Sequence, residues 1–177
     1  MEYQLCVIGA GTGGYVAAIK AAQLGAKVIL IEKDNLGGVC MNKGCIPTKT
    51  LLKSAEKWQD LQNLEEFGMF VEGMAYDWQK VMERKNNVVH QMRKGLEQLI
   101  KLNKIEFVVG KAVLVDKNTI HLVTDNPDEE RDIVAKKIVI ATGSEPSRPP
   151  IPGADLVGVI TSDEVLKLDE IPGSMPL

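Results

Sequence analysis

At 177 residues and a formal net charge of −3, the chain has the size of one ordinary domain, able to bury about two-thirds of its extended surface. The mildly acidic balance argues against a nucleic-acid or anionic-membrane surface, and no apolar run approaches the ~18 residues of a membrane span. Three cysteines and a start without a basic, apolar leader point to a bacterial cytoplasm or an organelle matrix and away from secretion.

The first thirty residues read as strand, glycine turn, helix and strand. Leu5 to Ile8 is a short apolar run of the buried parallel type, and Val16 to Leu24 carries helical spacing. Val28 to Ile31 is the next strand, ending at Glu32. Between the first strand and the helix lies Gly9-Ala10-Gly11-Thr12-Gly13-Gly14. A lone GxGxxG is weak evidence, but a strand before it, a helix after it and an acid about twenty residues on make it a dinucleotide signature. Gly9 permits a tight turn, Gly11 lets backbone approach a pyrophosphate, and Gly14 brings helix close to strand. The helix start offers free N–H groups to the phosphates. Glu32 would accept bonds from ribose hydroxyls and repel a 2′-phosphate. The alternative is a glycine turn without a ligand. Cys6, inside the first strand, reads as a small buried hydrophobe.

The stretch Gly37 to Lys49 holds Cys40 and Cys45, five positions apart at the mouth of a helix. In an unbroken helix their α-carbons would lie about 8 to 9 Å apart, beyond the about 7 Å that a disulfide tolerates. Closing a bond therefore needs an irregular first turn, which Gly38, Gly44 and Pro47 allow. A helix start favours thiolate over thiol, and Lys43 and Lys49 add to that field. Redox chemistry fits this pair best, with two unpaired buried thiols as the alternative. Zinc is poorly served, because no second Cys pair or close His supplies further ligands.

Leu51 to Phe67 continues as a helix, Gly68 to Asp77 breaks it, and Trp78 to Leu102 forms a long second helix with apolar residues at helical spacing. Its methionines read as core filler and His90 as a partly exposed helical residue. Strands follow: Ile105 to Val109, then a hairpin of Val113 to Val115 with Thr119 to Val123, in which His121 takes an exposed cross-strand position. Asp125 to Asp132 reads as a charged turn, and Ile138 to Ala141 as a buried strand leading into Thr142-Gly143-Ser144. Pro146, Pro149, Pro150 and Pro152 mark a linker. Ser162-Asp163-Glu164 caps a short helix through Leu168. The tail Ile171 to Leu177 has no evident core role and looks like a chain cut at a domain boundary.

GAGTGG near the start, the acid Glu32, GGVCMNKGCIPTK and the ATGSEP beginning at Ala141 occur in the order that resembles the pyridine nucleotide–disulfide oxidoreductases. Cys-Ile-Pro-Thr-Lys is most similar to the lipoamide-linked members, whereas the glutathione and mercuric reductases usually carry Val after the second cysteine. The fold so implied is α/β: a Rossmann-like FAD-binding domain with a parallel central sheet, helices and an inserted small antiparallel β hairpin or meander. It would occupy residues 1–145 with the redox disulfide, and 146–177 would be a linker toward an NAD-binding domain.

The resemblance further implies that Gly9, Ala10, Gly11, Gly13 and Gly14 wrap the FAD pyrophosphate and that Glu32 holds the adenosine ribose. Lys33, Gly38, Val39 and Cys40 join the same cofactor-binding set. Cys40 would be the interchange thiol, while Cys45 would lie against the flavin and pass electrons to it. Lys49 would stand beside the reactive ring, Ala112 at the adenine end, and Thr142, Gly143 and Ser144 in a second contact loop. NAD⁺ would take the hydride. The partner would be the dihydrolipoyl group of a 2-oxoacid dehydrogenase or glycine-cleavage lipoyl protein, and the enzyme would be a homodimer. Val39 departs from the Thr common before the first cysteine. The family's NAD-binding repeat and its carboxy-terminal His-Glu pair have no counterpart here, so the chain alone is expected to hold FAD weakly and not to turn over. The FAD domain of another disulfide reductase and a non-catalytic nucleotide-binding module are the competing readings.

Overall fold

The computed structural model describes residues 2–175. Six strands form one sheet in the order β3-β2-β1-β6-β5-β4. They are β1 Glu2–Ile8, β2 Val28–Glu32, β3 Glu106–Val109, β4 Lys111–Leu114, β5 Thr119–Val123 and β6 Arg131–Ile140. β3, β2, β1 and β6 run parallel, and β6, β5 and β4 antiparallel. The expected Rossmann-like α/β fold is therefore present. The expected antiparallel hairpin is present as well, and β6 joins it to the parallel sheet. One strand serves both patterns: Arg131 to Val134 pair with β5, and Val134 to Ile140 with β1.

The chain divides into two compact units, one made of the residues up to Asn42 with Gln91–Glu145, the other of Lys43–His90 with the segment from Pro146 onward. In the first, alternation along the strands sends side chains to two faces. Val7, Val28 and Leu30 meet Ala18 of α1 (Thr12–Gln23), Met41 of α2 (Gly38–Lys43), and Leu96 and Ile100 of α4 (Trp78–Leu102) in one buried cluster. Cys6, Ile29 and Ile31 meet Ile120 and Leu122 of β5 and Ile133 and Ala135 of β6 in another. Residues of β2 and β5 share that cluster although two strands separate them, so the antiparallel end of the sheet curls over the second face.

Helix α1 begins at Thr12, four residues before the first helical position read from apolar spacing, because two glycines form its opening turn. It ends in a Schellman motif, with Ala26 N–H donating to Ala21 C=O at 3.0 Å and Gly25 N–H to Ala22 C=O at 2.9 Å. α4 ends the same way on a residue less suited to it. Lys104 takes the left-handed φ of +55°, and Ile105 N–H reaches Ile100 C=O at 3.2 Å.

In the second unit, α3 (Cys45–Gln62) is followed by a 3₁₀ turn at Leu64–Phe67, so the single helix expected to reach Phe67 stops at Gln62. Trp58 and Tyr76 meet edge to face at a centroid distance of 5.6 Å. Lys85 of α4 is buried and donates to Leu166 C=O at 2.6 Å, and burial first, with Lys167 nearby, holds its ammonium below the usual lysine range. α5 is only Ser162–Val165, capped by Thr161 and Glu164 rather than by Ser162 and not extending to Leu168. Of the tail, Pro176 and Leu177 lie outside the described residues.

Candidate functional site

The carboxyl ends of β1, β2 and β6 bring the expected nucleotide-binding segments to one edge of the sheet. Gly9 N–H donates to Ile31 C=O at 2.8 Å, and Ala141 N–H to Ile8 C=O at 2.8 Å. These bonds set the glycine turn, the end of β2 and the segment leading into Thr142-Gly143-Ser144 side by side. A Cβ on Gly14 would lie 1.8 Å from Gly9 C=O oxygen, so only glycine lets α1 approach the turn this closely. No side chain caps the start of α1. The N-cap is Gly11, which has no side chain to accept from the first N–H groups, the arrangement a pyrophosphate-binding helix uses. A Cβ on Gly13 would meet nothing within 4 Å, leaving room at that start.

The Glu32 carboxylate accepts from Ala10 N–H at 2.7 Å through one oxygen and from Asp34 N–H at 3.0 Å through the other. Each oxygen keeps acceptor capacity for a ribose hydroxyl. Gly110 N–H donates to Glu32 C=O at 2.8 Å. This bond carries the chain from β3 past Glu32 into β4, where half-buried Ala112 sits. Lys33 Nζ pairs with Glu145 at 2.9 Å, and that carboxylate holds the Lys33 ammonium above the usual lysine range. The pair ties the end of β2 to the segment after β6.

The cysteine stretch breaks where its glycines allow. Instead of one helix with Cys40 at its mouth, there are two: α2 carries Cys40 and α3 starts at Cys45, separated by Gly44 at φ −146° and ψ −112°. Both cysteines are disulfide-bonded while Cys6 is free, so Cys40 is joined to Cys45. The irregular turn required for closure is thus present. Pro47 stands in the first turn of α3, where its missing N–H costs no helical bond. Cys45 and Lys49, both exposed, lie one turn apart on one face of α3. Burial pushes the Cys6 thiol up to about 11, which keeps it out of thiolate chemistry.

α2 is docked on the glycine turn. Gly37 N–H donates to Ala10 C=O at 2.9 Å, and Gly38, at φ +64°, packs so that a Cβ would lie 2.5 Å from Gly11 Cα. Val39, at the position where the family commonly carries Thr, is exposed. Sequence reasoning missed Asn42 and Arg93. Asn42 Nδ2 donates to Leu36 C=O at 3.1 Å and Gly38 C=O at 3.0 Å, while Arg93 Nη2 donates to Asn42 Oδ1 at 2.8 Å. Asn42 lies within the quoted motif, but nothing in the sequence pairs it with Arg93. His90 is exposed, as expected, whereas His121 is half-buried and within 2.8 Å of Asp132. Among the described residues no group of three His, Cys, Asp or Glu side chains is placed to hold a metal ion, and no helix is long and apolar enough to cross a membrane.

Residues 3–175 match the family profile described as pyridine nucleotide-disulphide oxidoreductase. A dihydrolipoyl dehydrogenase of Geobacillus stearothermophilus is 43% identical over 99% of this chain and 37% of its own length. That of Bacillus subtilis is 40% identical over 98% of the chain and 38% of its own length. The chain thus spans under two-fifths of these curated relatives. The solved Cu(II) complex of the HOCl-induced flavoprotein disulfide reductase RclA from Escherichia coli superposes with a TM-score of 0.77 at 32% identity, covering 98% of this chain and 36% of that one.

Proposed function

The chain belongs to the pyridine nucleotide-disulphide oxidoreductases, and from that premise we propose that it is the FAD-binding, redox-disulfide part of a dihydrolipoyl dehydrogenase. The observation that carries this reading is the Cys40–Cys45 disulfide on a helix docked directly against the glycine turn. The open start of α1 with Gly9, Ala10, Gly11, Gly13 and Gly14 would hold the pyrophosphate of FAD, and Glu32 the ribose. Lys33, Gly38, Val39, Ala112, Thr142, Gly143 and Ser144 would complete the contacts. When bound, FAD accepts an electron pair from a dithiol and delivers it as a hydride to NAD⁺.

The chain's own sulfurs account for the thiol half of the reaction. A dihydrolipoyl thiolate attacks Cys40 Sγ, the Cys40–Cys45 bond breaks, and Cys45 leaves as thiolate. The second dihydrolipoyl sulfur then attacks the mixed disulfide, closing the lipoyl ring and releasing Cys40 as a thiolate. Two electrons have moved from the substrate dithiol to the protein pair, and two protons are released. Cys45 gains from its place at the start of α3, where the helix dipole favours thiolate, and Lys49 adds positive charge on the same face. The substrate is assigned to the lipoyl arm of a 2-oxoacid dehydrogenase or glycine-cleavage protein, in a cytoplasmic homodimer. Cys-Ile-Pro-Thr-Lys and the two dihydrolipoyl dehydrogenase relatives favour it over glutathione disulfide.

The test is a visible-absorption titration of the chain with FAD, followed by anaerobic dihydrolipoamide. Saturable flavin binding and, on addition of the dithiol, a long-wavelength thiolate-to-flavin band are the expected results. Flavin binding with reduction by glutathione but not by dihydrolipoamide would assign a different disulfide reductase. Failure to bind flavin at any concentration would sink the cofactor reading.

A further inference from the structure

α2 has six residues, Gly38–Lys43, far fewer than the about 12 an isolated helix needs to persist in water. Something outside it must hold it. Buried Met41 secures its inner side. Its outer end is held by Asn42, whose Nδ2 donates to Leu36 C=O and Gly38 C=O and, at 3.4 Å, to Asn35 C=O. An amide does this only with its nitrogen facing those carbonyls, and nothing in the carboxamide's shape sets that orientation. Arg93 sets it. A guanidinium only donates, so its 2.8 Å bond requires the Asn42 oxygen on its side.

Arg93 is spent on this contact to an unusual degree. No ion pair among the described residues includes it, and its buried Nε has no hydrogen-bond partner. A buried orphan donor costs about 1 to 3 kcal/mol. An arginine kept in α4 at that cost, with one polar bond directed at the helix that carries Cys40, indicates a use for the bond.

We infer that Arg93 is a positioning residue for the redox pair: it fixes the Asn42 carboxamide, which holds α2 in the form that presents Cys40 for closure with Cys45. The inference rests on the redox reading of the disulfide but not on any cofactor. Loosening α2 lowers the effective concentration of one sulfur for the other, so the dithiol gains at the expense of the disulfide.

The experiment equilibrates the chain with mixtures of reduced and oxidised dithiothreitol. As the protein disulfide opens to two thiols, dithiothreitol closes to its cyclic disulfide. The protein dithiol fraction is read by alkylation and mass spectrometry. Arg93→Met and, independently, Asn42→Ala should each lower the oxidation equilibrium constant about tenfold, a shift of ~30 mV. The double variant should shift it no further, because the two residues act as one unit. Arg93→Lys, which keeps a donor for Oδ1, should return most of the difference. Circular dichroism checks folding. Should Arg93→Met fail to fold, Arg93→Leu, which also lacks a donor, replaces it under the same criterion.

An unchanged constant in folded Arg93→Met and Asn42→Ala, or additive shifts in the double variant, would overturn the inference. The FAD titration is scored separately on the parent chain. A shifted constant without flavin binding leaves this inference standing while the function fails, and flavin binding with an unshifted constant does the reverse.

Discussion

Gly38 shows how much of the site depends on an absent methyl group. At φ +64°, and with a would-be Cβ 2.5 Å from Gly11 Cα, both backbone conformation and space reject a side chain there. Left-handed backbone costs a non-glycine residue about 1 to 2 kcal/mol before any overlap is relieved. Gly38→Ala should therefore lower stability by at least ~2 kcal/mol in urea denaturation. It should also weaken FAD retention, since the helix must move off the glycine turn. Cys6 gives the opposite expectation. With its thiol held near pKa 11 by burial, reduced native protein treated with iodoacetamide at pH 8 should be labelled at Cys40 and Cys45 while Cys6 stays unmodified. Labelling of Cys6 at a comparable rate would contradict its placement in the core. These residue-scale features were legible in part: the sequence marks Gly38 as conformationally free and Cys6 as buried by its strand, but not the packing of Gly38 on Gly11. Arg93 and Asn42 were not, because their bond joins positions 51 apart in sequence through a geometry that only packing creates.

Among the elements, the end of α4 carries a correctable strain. Lys104 occupies the left-handed position of a Schellman motif at φ +55°, where glycine is the usual occupant. Lys104→Gly removes that strain but loosens the unfolded chain, so the net gain should be about 0.5 to 1 kcal/mol, measurable as a higher denaturation midpoint. In the sheet, Tyr3 of β1 donates to Glu106 of β3 at 2.6 Å, spanning β2, and Arg131 also bonds Glu106 at 2.9 Å. Burial first, then the Glu106 hydrogen bond and charge, push the Tyr3 hydroxyl up to about 12 from 10.0. A raised folded pKa contributes stability that is complete below pH 10 and is lost as the pH climbs toward 12. Tyr3→Phe should cost about 1 kcal/mol at neutral pH and flatten the alkaline loss seen in the parent. Strand β6 shows why element boundaries escaped the sequence. Arg131, Asp132, Lys136 and Lys137 make its first half look like a turn, yet Ile133 and Ala135 alternate inward among them and are buried. Half-buried alternation with charges outward belongs to an antiparallel strand, and continuous apolar run to a parallel one. β6 contains both in succession, and only its second half was recognisable.

For the molecule as a whole, the stretch between α3 and α4 is a long connection whose apolar side chains find little cover. Phe67, Met69, Phe70, Val71 and Tyr76 are all more than half exposed, and exposed loops of this kind are where proteases nick first. Limited chymotrypsin digestion should therefore cleave near Phe67, Phe70 or Tyr76 before it reaches the sheet. Initial cuts within β1, β2 or β6 would contradict the burial of those strands.

The ladder between β1 and β6 sets a schedule for acquiring the structure. Glu2 pairs with Val134 and Ile8 with Ile140, 132 positions apart in each case, so β1 waits for a strand that lies far along the chain. Until β6 emerges, β1 has only β2 beside it, one flank is an open edge, and the glycine turn lacks the wall that Ala141 provides. Pairings this distant in sequence slow folding, because the loop must close before the contacts reward it. The unfinished edge meanwhile invites association with other chains. Refolding should accordingly be slow relative to helical proteins of the same length, with aggregation losses that grow with protein concentration.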